Sequence, residues 1–501
     1  METDPNPVPD TALEDLRSLS PEEAAQRLAA VIRDDMPADQ EAAIVELLAD
    51  RRFGDPILPH LDLNGLQDLC DRCLRRLDDL PSCAAAQAGA TAWRLLDLLR
   101  RSSLSCRFRD DGTTEAWAAR ILALVEKSDF TFAHLFHQRA AGYGERPLFK
   151  VPSSGSDRVI TWRQASGRID LLARSLTAVT AETGDRPLAI LSRNSLDMAL
   201  VDLACLTSGI VNVLVPATAT ETDVAFILEH AGVGALVVSD SEQLQKVLNV
   251  REKLPDLGPI IAIDPSAASA RGVMAYEHLM ARSSEVTPEQ LATRRAATRI
   301  GDLATVMYTS GTTGVPKGIC FTQRNIVYKR FARALALPEI GENDVFLSYL
   351  PLFHTFGRFL EMTGCIFWGA TYCFAEDPSV ETLTRQMRRQ RASVLISIPM
   401  KWMQIFDLVR QSVDIDAASD EETAAALRAV VGADLRWGLS AAGYLDPEIF
   451  RFMQRNGVEL MSGFGMTEAT GGITMTPPGR YKEESLGPAL PGVEISLAED
   501  A

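Results

Sequence analysis

Residues 308–318, YTSGTTGVPKG, combine glycines, hydroxyl side chains and one lysine in a short segment. Apolar runs at 303–308 and 319–322 predict strands on both sides, so the polar residues form the loop between them. Glycine permits positive φ and close approach of a ligand, hydroxyls donate hydrogen bonds, and a lysine adds a point charge. This combination favours a polyphosphate, held by Thr309, Ser310, Gly311, Thr312, Thr313, Gly314 and Lys317.

The spacing within this loop limits how it could bind phosphate. A Walker-type loop is excluded, because Gly311 is followed by four residues and then by Pro316-Lys317 instead of Gly-Lys. A surface linker rich in serine, threonine and glycine stays open on composition alone. The residue types therefore predict a nucleotide bound in another geometry.

The same segment closely resembles the phosphate-loop signature of the adenylate-forming enzymes. These include acyl-CoA synthetases, aryl-CoA ligases, luciferases and the adenylation domains of peptide synthetases. The resemblance extends from about residue 130 to the end of the chain. It implies that ATP binds through its pyrophosphate end, beside a carboxylic acid substrate.

Two further segments complete the nucleotide site that this resemblance implies. Residues 439–443, LSAAG, follow a predicted strand, and their small side chains would let a flat ring lie against the backbone; the family equivalent holds adenine. Residues 461–468, MSGFGMTE, resemble another segment of the family. In the relatives, the aromatic residue of this segment stacks on adenine, the threonine hydrogen-bonds the α-phosphate and the glutamate binds Mg²⁺. These roles suit a π face, a hydroxyl and a hard carboxylate oxygen. The residues assigned are Ser440, Ala441, Ala442, Gly463, Phe464, Gly465, Met466, Thr467 and, for the metal, Glu468.

One position in the third segment departs from the family pattern. Relatives commonly have tyrosine where this chain has Phe464. Stacking on a base survives this change, because it needs only the aromatic face. A contact through the hydroxyl would be lost.

His354 is assigned to the acid substrate. Residues 348–358, SYLPLFHTFGR, resemble the family segment in which a strand ends in Leu-Pro-Leu and a histidine at a helix start lines the carboxylate pocket. An imidazole among phenylalanines can orient or desolvate an acid. Without the resemblance, a lone histidine in apolar surroundings is usually a hydrogen-bonded core residue. Together with Thr467, Glu468 and Lys317, His354 forms the predicted catalytic set.

The predicted reaction is ATP-dependent activation of a fatty acid to an acyl-adenylate, followed by transfer to coenzyme A. Residues 244–264 resemble the long-chain fatty acyl-CoA synthetase branch, where a helix, a Leu-Pro turn and a strand occupy this position. This resemblance favours a fatty acid over a small aryl acid. Two alternatives stay open: an acyl-AMP ligase that feeds an acyl-carrier protein, and a catalytically incomplete regulatory protein that binds ATP and acyl groups.

The sequence pattern predicts two folded regions, one of which must position these residues. Residues 1–12 are acidic and rich in proline, and we expect them to be disordered. Residues 13–127 show only helical patterns, beginning with Ser20-Pro21-Glu22-Glu23 as a capped helix start. This all-α region is either a module that docks a protein partner or a helical segment packed on the main body.

Residues 128–501 carry the predicted chemistry. Strands alternate there with helices of about ten to fifteen residues, which indicates an α/β fold with largely parallel sheets. The resemblance implies the large domain of the adenylate-forming enzymes, with mixed, largely parallel sheets flanked by helices. Two histidines, at 134 and 137, have no third ligand at helical spacing, so we interpret their helix as structural.

The resemblance runs to the last residues of this chain, but the pattern of the family continues further. Residues 493–497 read as an alternating strand. Relatives continue with a Gly-Asp that holds the ribose, a hinge, and a small C-terminal domain whose lysine bridges the substrate carboxylate and the α-phosphate. We therefore expect the small C-terminal domain to be absent from this chain, which would be part of a longer protein or be completed by a partner.

Composition narrows the partners and the compartment. The 501 residues carry a formal net charge of −17, which argues against nucleic acid as the main partner. The acidic N-terminus lacks the pattern of a secretory signal, and no apolar stretch predicts a membrane span, although peripheral membrane contact stays open. Eight scattered cysteines give no disulfide framework, so we expect the cytoplasm. Cys70 and Cys73 form a lone CxxC, interpreted as buried helix cysteines.

Overall fold

The computed structural model describes residues 15–32, 36–79, 82–153, 156–309, 314–337 and 339–497. Tertiary contacts divide the chain into two compact units. The first extends to residue 131 and also includes 327–341, which the sequence pattern did not connect with it; the second contains 132–326 and the residues from 342 onward. Residues 1–12, which we expect to be disordered, lie outside the described residues.

The first unit is helical in its described residues. The helix at Pro21–Val31 begins where the sequence predicts: the Ser20 hydroxyl accepts from the backbone N–H of Glu23, the Glu23 carboxylate accepts from that of Ser20, and Pro21 lies in the first turn. Cys70 and Cys73 are buried on the helix at Leu63–Asp79. The helices are α1 (Pro21–Val31), α2 (Ala38–Ala49), α3 (Arg51–Ile57), α4 (Leu63–Asp79), α5 (Ser82–Leu99), α6 (Ser102–Asp110) and α7 (Thr114–Lys127).

The second unit is built on two sheets. The described residues form the strands β1 (Pro147–Val151), β2 (Arg158–Thr161), β3 (Leu188–Leu191), β4 (Asn212–Val215), β5 (Ala235–Val238), β6 (Ile260–Ala262), β7 (Val273–Ala275), β8 (Leu303–Thr309), β9 (Lys317–Thr322), β10 (Val345–Ser348), β11 (Thr371–Phe374), β12 (Val394–Ser397), β13 (Trp437–Ser440), β14 (Glu459–Met466) and β15 (Gly471–Met475).

The chain from residue 132 onward also forms helices. They are α8 (Phe132–Tyr143), α9 (Trp162–Glu182), α10 (Leu196–Ser208), α11 (Glu221–His230), α12 (Ser241–Asn249), α13 (Tyr276–Ala281), α14 (Pro288–Ala297), α15 (Gln323–Ala336), α16 (Thr363–Trp368), α17 (Val380–Gln390), α18 (Pro399–Arg410), α19 (Asp420–Val431) and α20 (Pro447–Arg455). Residues 327–336 of α15 count with the first unit.

The eight-stranded sheet has the order β15-β14-β13-β12-β10-β11-β1-β2. All pairs between β14 and β1 are parallel, and the two outer pairs are antiparallel. β1 joins the sheet through residues far along the chain, with Phe149 opposite Tyr372. The segment from β3 to β9 is therefore an insertion between two parts of one sheet.

The inserted segment forms the seven-stranded sheet, with the order β7-β6-β5-β3-β4-β8-β9. Its pairs are parallel except for β8 with β9. Strands β3, β4 and β5 are buried along their whole length, because helices cover both faces of a parallel sheet. The predicted α/β fold with mixed, largely parallel sheets is confirmed, and the structure shows two such sheets.

The structure differs from the sequence prediction in two local features. Residues 493–497 form no strand; nearby, only Ala489 makes an isolated bridge, to Thr474. Alternation alone does not make a strand when no partner edge lies alongside. The helix predicted after His354 is a π-helix, Phe356–Met362, that leads into α16. Among the described residues, no helix has the length and apolar content needed to cross a membrane.

Candidate active site

A cavity of about 480 Å³ lies at the carboxyl ends of β10, β12, β13 and β14. These strands are parallel neighbours, so their carboxyl ends meet at one edge of the sheet. In open α/β sheets this edge is where ligands bind. Eight residues that the sequence assigns to the site line this cavity: His354, Ala441, Ala442, Gly463, Phe464, Gly465, Met466 and Thr467.

Most of the remaining lining is apolar and was missed by the sequence analysis. Tyr349 and Ile398 line the cavity as the first residues after β10 and β12. Leu360 and Met475 add apolar surface from the π-helix and from β15. Tyr349 and Ile398 could have been found from the sequence, because each directly follows an apolar run that predicts a strand. A largely apolar lining suits the hydrocarbon part of a substrate.

His354 lies between β10 and the π-helix, and it lines the cavity. Its ring centroid is 4.7 Å from that of Phe353. Desolvation by surrounding atoms lowers the pKa of His354, so the imidazole is neutral at neutral pH. Gly357 permits the π-helix to start here, since a Cβ at this position would lie 2.5 Å from the carbonyl oxygens of Leu350 and Pro351.

The hairpin of β14 and β15 supplies another wall. Phe464 pairs with Thr474, and the register then shifts at a bulge between Phe464 and Gly465. Gly465 is needed at this bulge, because a Cβ would lie 2.3 Å from the carbonyl oxygen of Gly471. The Phe464 side chain is 48% exposed and lines the cavity, so its ring face is open to a stacking partner.

The end of β13 places small residues at the same edge. Trp402 supports it from below, where Nε1 donates a hydrogen bond to the carbonyl oxygen of Leu439 at 3.3 Å. Ala441 and Ala442 line the cavity, as the sequence predicts. Ser440 does not: its side chain is buried, since successive residues of a strand point to opposite faces.

The predicted phosphate loop connects the antiparallel strands β8 and β9. Thr309 and Lys317 pair across this hairpin, and Gly314 has a φ of +81°. None of these three described loop residues lines the cavity. The other predicted residues of the loop lie outside the described residues: Ser310, Gly311, Thr312 and Thr313.

The base of this loop is held by contacts that the sequence did not suggest. Tyr308 pairs with Gly318, where a Cβ would lie 3.0 Å from the Tyr308 ring. The Tyr308 hydroxyl lies 2.7 Å from Nδ1 of His230, and the imidazole stacks on Phe226. Burial raises the pKa of Tyr308 to about 12, so the hydroxyl stays protonated. The glycine at 318 thus serves packing on an aromatic ring.

Glu468 is exposed on the short 3₁₀ turn Thr467–Ala469 that follows β14. Thr467 lines the cavity, whereas Glu468 does not. In the parts of the chain that the structure describes, no three His, Cys, Asp or Glu side chains form a metal-binding group. Mg²⁺ is commonly held by one or two carboxylates together with substrate phosphates. A single exposed carboxylate beside a threonine hydroxyl fits an ion that arrives with a nucleotide.

Comparisons with known proteins match the part of the chain that contains the cavity. The model of the AMP-binding enzyme family matches residues 136–501. The long-chain-fatty-acid–CoA ligase FadD15 of Mycobacterium bovis is 25% identical over 68% of this chain and 61% of its own length. The long-chain-fatty-acid–CoA ligase ACSBG1 of Mus musculus is 24% identical over 77% of this chain and 60% of its own. The chain therefore spans about 60% of the length of these curated relatives.

Solved structures show the same fold at low identity. The o-succinylbenzoate CoA synthetase of Bacillus subtilis, in complex with its acyl-adenylate intermediate, has a TM-score of 0.56 at 22% identity, covering 73% of this chain and 66% of that one. The anthranilate CoA ligase AuaEII, in complex with anthranoyl-AMP, has a TM-score of 0.60 at 19% identity, covering 74% and 65%.

Proposed function

The chain belongs to the AMP-binding enzyme family, and from this premise we propose that it activates a fatty carboxylic acid with ATP and transfers the acyl group to coenzyme A. One observation carries the proposal. A largely apolar cavity at the sheet edge is lined at once by a neutral imidazole, an exposed aromatic ring and a threonine hydroxyl: His354, Phe464 and Thr467.

In the proposed first step, a carboxylate oxygen of the acid attacks the α-phosphorus of ATP and pyrophosphate leaves. Phe464 stacks on adenine, and the Thr467 hydroxyl donates to the α-phosphate. Loop residues 309–313 and Lys317 hold the leaving pyrophosphate. Glu468 would hold Mg²⁺, which would supply positive charge at the phosphates. The protein accelerates such a displacement mainly by positioning and by stabilising charge.

In the proposed second step, a thiol attacks the carbonyl carbon of the acyl-adenylate and AMP leaves. His354 lies on the acid side of the site, where a neutral imidazole can hydrogen-bond the carboxylate without adding charge. Coenzyme A is the proposed thiol. The names of the similar curated proteins, both long-chain-fatty-acid–CoA ligases, support this choice and the choice of a long-chain acid.

Two other outcomes are distinguishable from this proposal. Transfer to an acyl-carrier protein would use the same first step with another thiol. A regulatory protein would bind ATP and acyl groups without turnover. Docking of a protein partner by the helical unit, peripheral contact with a membrane and a cytoplasmic location also remain proposals drawn from the sequence.

The test is acid-dependent exchange of pyrophosphate into ATP by the protein produced from its own gene, with fatty acids of graded length and a small aryl acid. We expect exchange with fatty acids, and acyl-CoA formation only when coenzyme A is present. ATP binding without exchange for any acid would overturn the ligase proposal and support the regulatory protein. Exchange with acyl transfer only to a carrier protein would replace coenzyme A as acceptor.

Glu468→Gln tests the metal assignment within this assay. We expect exchange to fall by about 100-fold or more, because charge stabilisation at the reacting phosphate is lost. Glu421→Gln is the matched control, since Glu421 is an exposed carboxylate on α19 away from the cavity. Exchange by a folded Glu468→Gln protein at the rate of the control would reject the role of Glu468.

A further inference from the structure

Asn194 holds the backbone of the segment that carries His354. It lies between β3 and α10, and its Nδ2 donates to the carbonyl oxygen of Leu350 at 2.7 Å. The backbone N–H of Leu352 donates to its Oδ1 at 2.8 Å. One carboxamide thus satisfies an acceptor and a donor on either side of Pro351, because its NH₂ donates while its oxygen accepts.

The turn that Asn194 holds is part of the cavity wall. Leu350 and Pro351 line the cavity, and the carbonyl oxygen of Pro351 accepts a hydrogen bond from the backbone N–H of His354 at 3.0 Å. Displacement of the turn would therefore move both the apolar wall and the imidazole. Proline supplies no N–H of its own, so the turn depends on partners from outside the segment.

A second anchor fixes the other end of the same segment. The backbone N–H of Arg358 donates to the carbonyl oxygen of His354 at 2.9 Å. The Arg358 guanidinium is fully buried, with Nε 2.9 Å from Oδ2 of Asp202 and Nη1 2.8 Å from Oγ1 of Thr305. Asp202 lies on α10, the helix that begins two residues after Asn194. Residues 350–358 are thus held at one end by Asn194, just before α10, and at the other by Asp202 on α10.

We propose that Asn194 is a positioning residue for the carboxylic acid: it sets the place of the 350–354 backbone, and so of His354, without touching the substrate. The inference rests on the proposed function of the cavity as the acid site. A purely structural role would lower the stability of the whole protein instead of the affinity for one substrate. The half-buried position of Asn194, outside any helix or strand, favours the local effect.

The test compares Asn194→Asp and Asn194→Ala with the unmodified protein. Aspartate keeps the acceptor for Leu352 but sets a carboxylate oxygen against the carbonyl oxygen of Leu350. Alanine removes both hydrogen bonds without adding charge, and keeps the test open if the aspartate variant does not fold. Asn64→Asp is the matched control, because Asn64 is an exposed asparagine on α4.

We measure kcat/KM for a fatty acid and KM for ATP by pyrophosphate exchange, the melting temperature, and the affinity for a fluorescent fatty acid without ATP. For both Asn194 variants we expect kcat/KM for the acid and the affinity for the probe to fall about tenfold, the effect of one lost hydrogen-bonded position. KM for ATP and the melting temperature should match those of Asn64→Asp.

Three outcomes would overturn the inference. The first is that kcat/KM for the acid and the affinity for the probe are unchanged in the variants. The second is that the variants lose as much affinity for ATP as for the acid. The third is that the losses occur together with a lowered melting temperature. Absence of exchange in the unmodified protein would reject the proposed function instead. In that case probe binding alone decides about Asn194: a tenfold loss in the variants keeps the inference, and unchanged affinity rejects it.

Discussion

Phe464 is the residue where the chemistry of the nucleotide site can be tested with least disturbance, because its ring is exposed and contributes little to the core. Replacing it with alanine should raise KM for ATP about tenfold, since an aromatic stacking pair contributes roughly 0.5–1.5 kcal/mol beyond its buried area. Phe464→Tyr should bind ATP at least as well. KM values from pyrophosphate exchange check both.

The control for this prediction is Tyr444→Ala. Tyr444 is 73% exposed and does not line the cavity. If both alanine variants bound ATP equally well, the assignment of Phe464 to adenine would be rejected.

The sequence predicted those site residues whose chemical role follows from the type of their side chain. His354, Phe464 and Thr467 were predicted and line one cavity. Asn194 could not be predicted, because its partners are backbone groups 156 and 158 residues further along the chain, which carry no side-chain signal. The assignments of Ser440 and Glu468 stay predictions.

At the scale of single elements, α8 contains a histidine with consequences for stability. Burial, with a smaller contribution from Arg295, lowers the pKa of His137 to about 4, against the effect of Asp170. The folded protein then binds fewer protons than the unfolded chain between about pH 6.5 and pH 4. The free energy of unfolding should therefore fall by up to about 3 kcal/mol as the pH drops through this window.

His137→Gln should remove this part of the pH dependence. Urea unfolding at pH 7 and pH 4.5 measures it, with His278→Gln as control because His278 is exposed. Equal losses of stability on acidification in the two variants would contradict the prediction.

Alternating strands and helices were predicted for the second unit because buried parallel strands leave a continuous apolar signal in the sequence. The strands at 188–191 and 235–238 are apolar and buried at every position. The π-helix after His354 was not predicted. Its form depends on the approach of Gly357 to the backbone of Leu350 and Pro351, a tertiary contact without periodicity in the sequence.

For the second unit as a whole, one buried ion pair connects the two sheets. Arg358 follows β10 of the eight-stranded sheet, while Asp202, Asn212 and Thr305 belong to α10, β4 and β8 around the other. All four side chains are buried. Arg358→Met should lower the free energy of unfolding by about 3–5 kcal/mol, because Asp202 is left charged without its partner.

A double variant separates charge from packing in this prediction. Arg358→Met combined with Asp202→Asn should recover part of the loss, as a double-mutant cycle in urea would show. Arg391→Met, which breaks an exposed pair with Asp434, should change stability little. No recovery in the double variant would mean that shape, and not the uncompensated charge, dominates at this site.

The pairing of β1 with β11 has a consequence for biosynthesis. Phe149 meets Tyr372 in the sheet that carries the cavity, and the whole seven-stranded sheet is encoded between them. On the ribosome, β1 and β2 emerge early and stay without their central neighbour until β11 has been translated. Unpaired strand edges invite association with other chains. We therefore expect the yield of folded protein to depend on how fast the inserted sheet folds during this interval.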